Sequence, residues 1–197
     1  MAISIQTVHG EQIAPFIDDV ARLRIEVFHE FPYLYDGDMS YERRYLKTFS
    51  QAKDSLLVLA LHEGEVVGAS TGLPLAQEPP DMQAPFIERG YEVERVFYFS
   101  ESVLKAAYRG QGAGLAFFRE REQWARNLGS FDFLAFCAVV RPEEHPLRPA
   151  GHVPLDAFWQ HRGFQRTDML CRMYWKDRDE PAETEKQLRF WIKPLDK

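Results

Sequence analysis

The sequence predicts a mixed α/β (α+β) chain with a central, largely antiparallel sheet flanked by helices. Three observations carry this. Leu56 to Gly68 reads as two strands joined by a short Glu63-Gly64 turn. The apolar and aromatic run from Val96 to Leu104 leads through a glycine-rich turn, Gly110-Gln111-Gly112-Ala113-Gly114, into an amphipathic segment. Strand-like and helix-like segments are intermixed along the rest of the chain.

The elements follow in order. Ile3–Val8 reads as a strand. Glu11–Glu30 reads as a helix, because Ile13, Phe16, Ile17, Val20, Leu23, Val27 and Phe28 fall mostly on one side. Tyr41–Phe49 is a second, shorter helix. Strands are expected at 56–62, 66–74 and 94–104. Residues 77–90 carry Pro79, Pro80 and Pro85 and read as a loop with a helical turn. Gly112–Leu128 is a helix and Phe131–Val140 a strand. Arg141–Gly151 holds Pro142, Pro146 and Pro149 and reads as an irregular loop. A short helix at 155–164 ends in Gly163-Phe164, Asp168–Trp175 is a strand, the charged stretch Lys176–Gln187 is a solvated connection, and Leu188–Leu195 is a last strand.

The 197 residues are 45% hydrophobic, enough for one sizeable core, and a single domain over 1–197 is expected. A net charge of −6 with no basic stripe argues against a nucleic-acid partner. No run reaches the ~18 apolar residues of a membrane span, and Met1–Gln6 has no basic, signal-like start, so a cytoplasmic location is expected. Cys137 and Cys171 stand apart without metal-ligand spacing. They read as reduced, buried thiols, and no metal is expected. For Cys137, core packing is preferred over a place beside a thioester.

The glycine turn carries the chemistry. A strand, a glycine-rich turn and a helix point several backbone N–H groups at one spot, at the positive end of a helix dipole, where phosphate binds. No Lys-Ser or Lys-Thr follows, so it is not a P-loop. A dinucleotide fingerprint needs a third glycine where Leu115 or Phe117 stands. What remains is Arg/Gln-x-x-Gly-x-Gly/Ala, matched by Arg109, Gly112 and Gly114. This resembles the pyrophosphate loop of the GNAT N-acetyltransferase superfamily. The stretch Leu155-Asp156-Ala157-Phe158-Trp159-Gln160-His161-Arg162-Gly163-Phe164 also resembles that family's Ala-x-x-x-Tyr-x-x-x-Gly-Phe helix, and the hairpin at 56–68 sits where the family has one.

The resemblance implies acetyl-CoA as co-substrate and a splayed strand pair that holds its pantetheine arm. The phosphates would meet Gly110, Gln111, Gly112, Ala113 and Gly114 with Arg109, and the arm would meet backbone groups of Val103 and Leu104. Trp159 would pack against the arm or the core. It stands where many members have a tyrosine that protonates the departing thiolate, and indole N–H is no usable acid. Tyr108, His145, His152 and His161 are the substitutes, beside water or the amine's own proton. Glu101, on the strand before the loop, is the expected general base, the alternative being a solvent-facing strand glutamate. Glu94 is the other carboxylate on that strand. Tyr98 is either a core residue or one that positions a water.

Acceptor binding falls to Phe31–Asp38. Tyr33 and Tyr35 would face a cationic amine. Asp36 and Asp38 are either its counter-charges or turn and cap residues. Arg141, His145 and Arg148 would form an opposite wall. The implied activity is acetyl transfer to a small amine by direct transfer in a ternary complex. The alternatives are a protein or peptide acetyltransferase, or a CoA-binding sensor without turnover. A homodimer is left open.

Overall fold

The computed structural model describes residues 2–195; Met1, Asp196 and Lys197, the ends of the single-domain expectation, lie outside the described residues. Seven strands form one sheet: β1 (Ser4–His9), β2 (Leu56–His62), β3 (Glu65–Pro74), β4 (Val96–Leu104), β5 (Phe133–Val139), β6 (Gln165–Lys176) and β7 (Glu183–Pro194). Their spatial order is β1-β2-β3-β4-β5-β7-β6. Every neighbouring pair is antiparallel except β4 and β5. The β2–β3 turn places Glu63 at φ 51° and Gly64 at φ 84°, the doubly positive geometry of a two-residue hairpin.

The sheet is covered on both faces, which is why β2 reads as a continuous apolar run. Leu57 and Leu59 join the core under α1 (Ile17–Phe28), α2 (Met39–Gln51) and α3 (Pro80–Glu88). Leu56, Val58 and Ala60 join the opposite core with Phe117 of α4 (Ala113–Leu128). That face continues through Phe97, Phe99, Leu134, Phe136 and Phe164, beside α5 (Asp156–Gln160). Among the described residues, no helix is long and apolar enough to cross a membrane.

Three elements differ from expectation. The first helix is divided: Gly10–Phe16 is a 3-10 turn and the α-helix begins at Ile17, because Pro15 supplies no N–H to an α ladder. The stretch 77–90, expected to be a loop with a single helical turn, contains the nine-residue α3. Pro80 occupies its first position, where a missing N–H costs nothing, and Met82 and Phe86, four apart, are buried. The charged stretch 176–187 turns at 178–182 and is strand at both ends, Lys176 closing β6 and 183–187 opening β7. Its polar residues pair across the β6–β7 hairpin at the sheet edge, with Tyr174 opposite Glu185 and its hydroxyl 3.0 Å from the Glu185 carboxylate.

Two irregularities of β4 shape the site. Thr71 faces Glu101 and Leu73 faces Tyr98, so two steps on β3 span three on β4. The extra residue is a bulge at Phe99–Ser100 opposite Gly72. A Cβ on Gly72 would lie 2.7 Å from the Phe97 ring, so only glycine permits this approach. On the other edge, β4 and β5 pair only at Val96–Phe133, Phe97–Leu134 and Tyr98–Ala135. Beyond Tyr98 and Ala135 the two strands part, and a wedge opens toward the N-terminus of α4.

Candidate active site

The glycine turn closes β4 onto α4. Gly110 has φ 76° and Gly112, the residue before the helix, has φ 87°; the space in front of both is open, with nothing within 4 Å of a Cβ built there. The first-turn amides of α4 lie beyond the reach of any intrahelical acceptor. Open space, left-handed glycines and a helix N-terminus fit a pyrophosphate. A Cβ on Gly114 would stand 3.6 Å from the Phe158 ring, so α5 closes the turn from one side. Arg109 lies beside it, donating from Nη2 to Glu30 (2.8 Å) and from Nε to the Leu104 carbonyl (3.2 Å). Gln111 donates to the Ala107 carbonyl at 3.3 Å. Val103 turns a buried side chain into the α1–α3 core, and Leu104 packs on the α4 face.

The bulge aims two successive polar residues to one face. Tyr98 lies in the α1–α3 core, and so do the partners of Ser100 and Glu101, whereas Phe97, Phe99 and Ser102 face α4. Glu101 is therefore not solvent-facing. Its carboxylate is ion-paired with Nη1 of Arg24 on α1, and its Oε1 has no partner among the described residues. Arg24 also donates from Nε to the fully buried Glu42 at 2.5 Å, and lies 4.6 Å from the Tyr45 ring centre. One guanidinium thus serves two carboxylates. The Ser100 hydroxyl donates to Oε1 of Glu78 at 3.1 Å. Burial pushes the Glu78 carboxyl above its ordinary value, against the smaller opposing pull of that hydrogen bond.

The bulge is held from the other face by Arg121 of α4. Its guanidinium donates to the carbonyls of Thr71 (3.3 Å) and Glu101 (3.2 Å) and to the Ser102 hydroxyl (2.9 Å), and its Nε donates to the Phe117 carbonyl. These acceptors are neutral, and burial lowers the arginine's pKa to about 9.

The acceptor side is built by two loops locked together. Arg141 forms a double ion pair with buried Asp177 (2.6 and 2.9 Å) and donates to the carbonyls of Pro32 and Tyr33, both at 2.7 Å. It therefore clamps the loop after β5 onto the α1–α2 loop and is not a free cation for a substrate carboxylate. Phe31 packs against His145 at 5.8 Å and edge-on to His152 at 4.8 Å. Tyr33 packs on Phe28 and Trp175, and Tyr35 pairs with Asp177 in an isolated bridge. Burial pushes both phenols above their ordinary range. The aspartates have structural roles here: Asp38 caps α2 by accepting from the Tyr41 amide at 2.9 Å, and Asp36 pairs with Lys176 at 2.6 Å.

The groups weighed for the thiolate are spread out. His145 and His152 belong to the Phe31 cluster, Tyr108 packs on His62 at 5.3 Å, and His161 follows α5. Trp159 meets Phe136 of β5 (5.0 Å) and Trp191 of β7 (5.1 Å), both edge to face. Cys137, two residues past the last β4–β5 pair, lies 2.9 Å from the Tyr98 hydroxyl. It packs partly buried against the α1–α3 core, and the neighbouring Cys171 thiol and burial push its pKa well up.

Arg24, Glu42, Glu78 and Arg121 were not anticipated. The two arginines left a signal: each interrupts the apolar stripe of its helix, Arg24 between Val20 and Val27, Arg121 between Phe117 and Ala125. A charge there is buried and must have partners.

Comparisons with known proteins agree with this geometry. The profile of the acetyltransferase (GNAT) family matches residues 20–164. No protein of curated function matches the sequence. Among solved structures, an N-acetyltransferase from Staphylococcus aureus Mu50 superposes with a TM-score of 0.64 at 11% identity, covering all of both chains. A ribosomal-protein-alanine N-acetyltransferase from Brucella melitensis gives 0.63 at 15% identity, over 96% of this chain and 99% of that one. A protein from Salmonella typhimurium, solved with its cofactor acetyl-CoA, gives 0.61 at 12% identity, over 100% and 96%.

Proposed function

The chain belongs to the acetyltransferase (GNAT) family, and from that premise we propose that it transfers the acetyl group of acetyl-CoA directly to the amine of a small molecule. The observation that carries the acetyl-CoA half is the wedge. β4 and β5 part after Tyr98–Ala135, and the wedge leads to a glycine turn with open space before its amides. In this reading the first-turn amides of α4, with Gly110 to Gly114, hold the pyrophosphate, and Arg109 flanks it. The arm runs back along Leu104 and Val103, so the reacting carbonyl comes to the bulge, where Ser100 and Glu101 point into the α1–α3 side. Trp159 braces the wall of the wedge through Phe136.

Bound acetyl-CoA supplies the activated acetyl group. The chain's own residues orient it, exclude water and hold the acceptor. Glu101, kept in place by Arg24, offers its unpartnered oxygen to the ammonium, and Tyr33 and Tyr35 form the wall beside it. Negative charge is in excess here, since Glu42 and Glu101 share one guanidinium, so a cationic amine is favoured. The small-molecule half rests on Arg141. By joining the loop after β5 to the α1–α2 loop it closes the acceptor side, where a protein tail would need an open groove.

The test is calorimetric titration with acetyl-CoA, followed by thiol release with phenethylamine, spermidine, methionine and an alanine-terminated peptide. Binding with turnover on a small amine is expected. Turnover on the peptide alone would make the chain a peptide acetyltransferase, and binding without turnover would make it a CoA sensor.

A further inference from the structure

Amine acetylation needs a group that takes a proton from the ammonium, and Glu101 is poorly suited to it. Its carboxylate is already held by the guanidinium of Arg24, which favours the form that has no proton to carry away. A second carboxylate reaches the same place from another element. Glu78 lies between β3 and α3, half-buried, and the hydroxyl of Ser100, the bulge residue, donates to its Oε1 at 3.1 Å. Ser100 stands two residues beyond the last β4–β5 pair, where the wedge is narrowest.

We propose that Glu78 is the proton acceptor for the incoming amine, oriented by Ser100. The proposal rests on the transferase reading above. The groups facing Glu78 are Tyr98 and Ser100 from β4, Tyr45 from α2 and Cys137 from β5. Burial drives both phenols upward, and the Cys171 thiol and burial do the same for Cys137, so all three are uncharged at neutral pH. Among the described residues, no lysine or arginine forms an ion pair with Glu78. It thus has what Glu101 lacks, freedom from an arginine partner, and burial raises its carboxyl, which makes it a better base. The division of labour follows. Glu101 binds the ammonium and Glu78 deprotonates it. The nitrogen lone pair then forms the C–N bond as the C–S bond breaks. Of the two protons the ammonium must lose, one goes to Glu78 and on to solvent, and the other goes to the departing sulfur. No side-chain acid is needed, which accommodates Trp159.

The experiment compares wild type, Glu78→Gln and Glu78→Asp in two measurements: acetyl-CoA affinity, and kcat/KM across pH with the best acceptor among phenethylamine, spermidine and methionine. Glu78→Gln should bind acetyl-CoA as wild type does and lose roughly 10²-fold or more in kcat/KM at neutral pH. The deficit should narrow as the pH approaches the amine's own pKa, because an amine that arrives neutral needs no base. Glu78→Asp should recover much of the rate and the wild-type pH dependence. A Glu78→Gln enzyme with wild-type rates, or one depressed equally at every pH, overturns the assignment, as does a Glu78→Asp enzyme no better than the amide. If wild type itself binds no acetyl-CoA, the transferase reading falls first.

Discussion

Gly112→Ala separates what a glycine does for the fold from what it does for a ligand. The residue sits at φ 87° before α4, and Gly129 sits at φ 70° after the same helix; a Cβ at either meets nothing within 4 Å. Alanine at either position therefore carries the same penalty, the left-handed backbone, worth roughly 1–2 kcal/mol. In a chain of this size that lowers Tm by about 2–4 °C per kcal/mol. Only at Gly112 does the methyl enter the space before the α4 amides. Losing one charge-assisted hydrogen bond there removes roughly 1.5–3 kcal/mol, which is on the order of 10- to 150-fold in Kd. Gly112→Val, with a branched Cβ, should remove binding altogether. The assay is thermal melting of both alanine variants, then calorimetric titration with acetyl-CoA. Equal melting shifts with an affinity loss confined to Gly112→Ala are expected. Gly112→Ala with the affinity of Gly129→Ala would remove the pyrophosphate from this turn.

Further outcomes follow from the same contacts. Arg141→Ala leaves the buried Asp177 with Lys186, 3.5 Å away, as its remaining cation and unlocks the two loops, so it should cost roughly 3 kcal/mol in denaturant unfolding; Asp177→Asn with Arg141 intact should cost less. Trp159→Ala should lower stability by a few kcal/mol through lost contact with Phe136 and Trp191, while Trp159→Tyr should leave kcat similar or lower. A several-fold rise in kcat with unchanged acetyl-CoA Kd would show that the position faces the sulfur. Cys137 favours its protonated form in the fold, so unfolding gains from ionisation once pH passes the ordinary thiol value of 9.0. Stability should decline from there toward the raised folded value, and Cys137→Ala should flatten that decline in equilibrium unfolding between neutral and strongly alkaline pH.

How much was legible in the sequence depended on whether a feature was local. The hairpin turn and the glycine turn were readable because their backbone angles demand glycine at fixed positions. The buried β2 was readable from its unbroken apolar run. The helix at Pro80 was hidden because prolines at a first turn look like breakers. The β6–β7 hairpin was hidden because cross-strand partners such as Tyr174 and Glu185 read, in one dimension, as plain solvation. The site was least legible where it depends on tertiary pairing. Strict alternation puts Glu101 with Phe99, and only the register against β3 reveals that it instead shares a face with Ser100. Glu78 stands in a connection beside two prolines, and nothing in its neighbours marks it.

The extra residue in β4 has a consequence for how variation can act on this chain. Deleting Ser100 would take away the hydroxyl that orients Glu78 and would restore simple alternation against β3. With Tyr98 still facing Leu73 and Glu101 still facing Thr71, Glu101 would keep the α1 side and Ser102 the α4 side, so the bulge would vanish without turning the rest of the strand. The site is thus encoded in the length of the strand as well as in its letters. A substitution at Ser100 leaves two successive positions on the α1–α3 side, whereas a deletion leaves one.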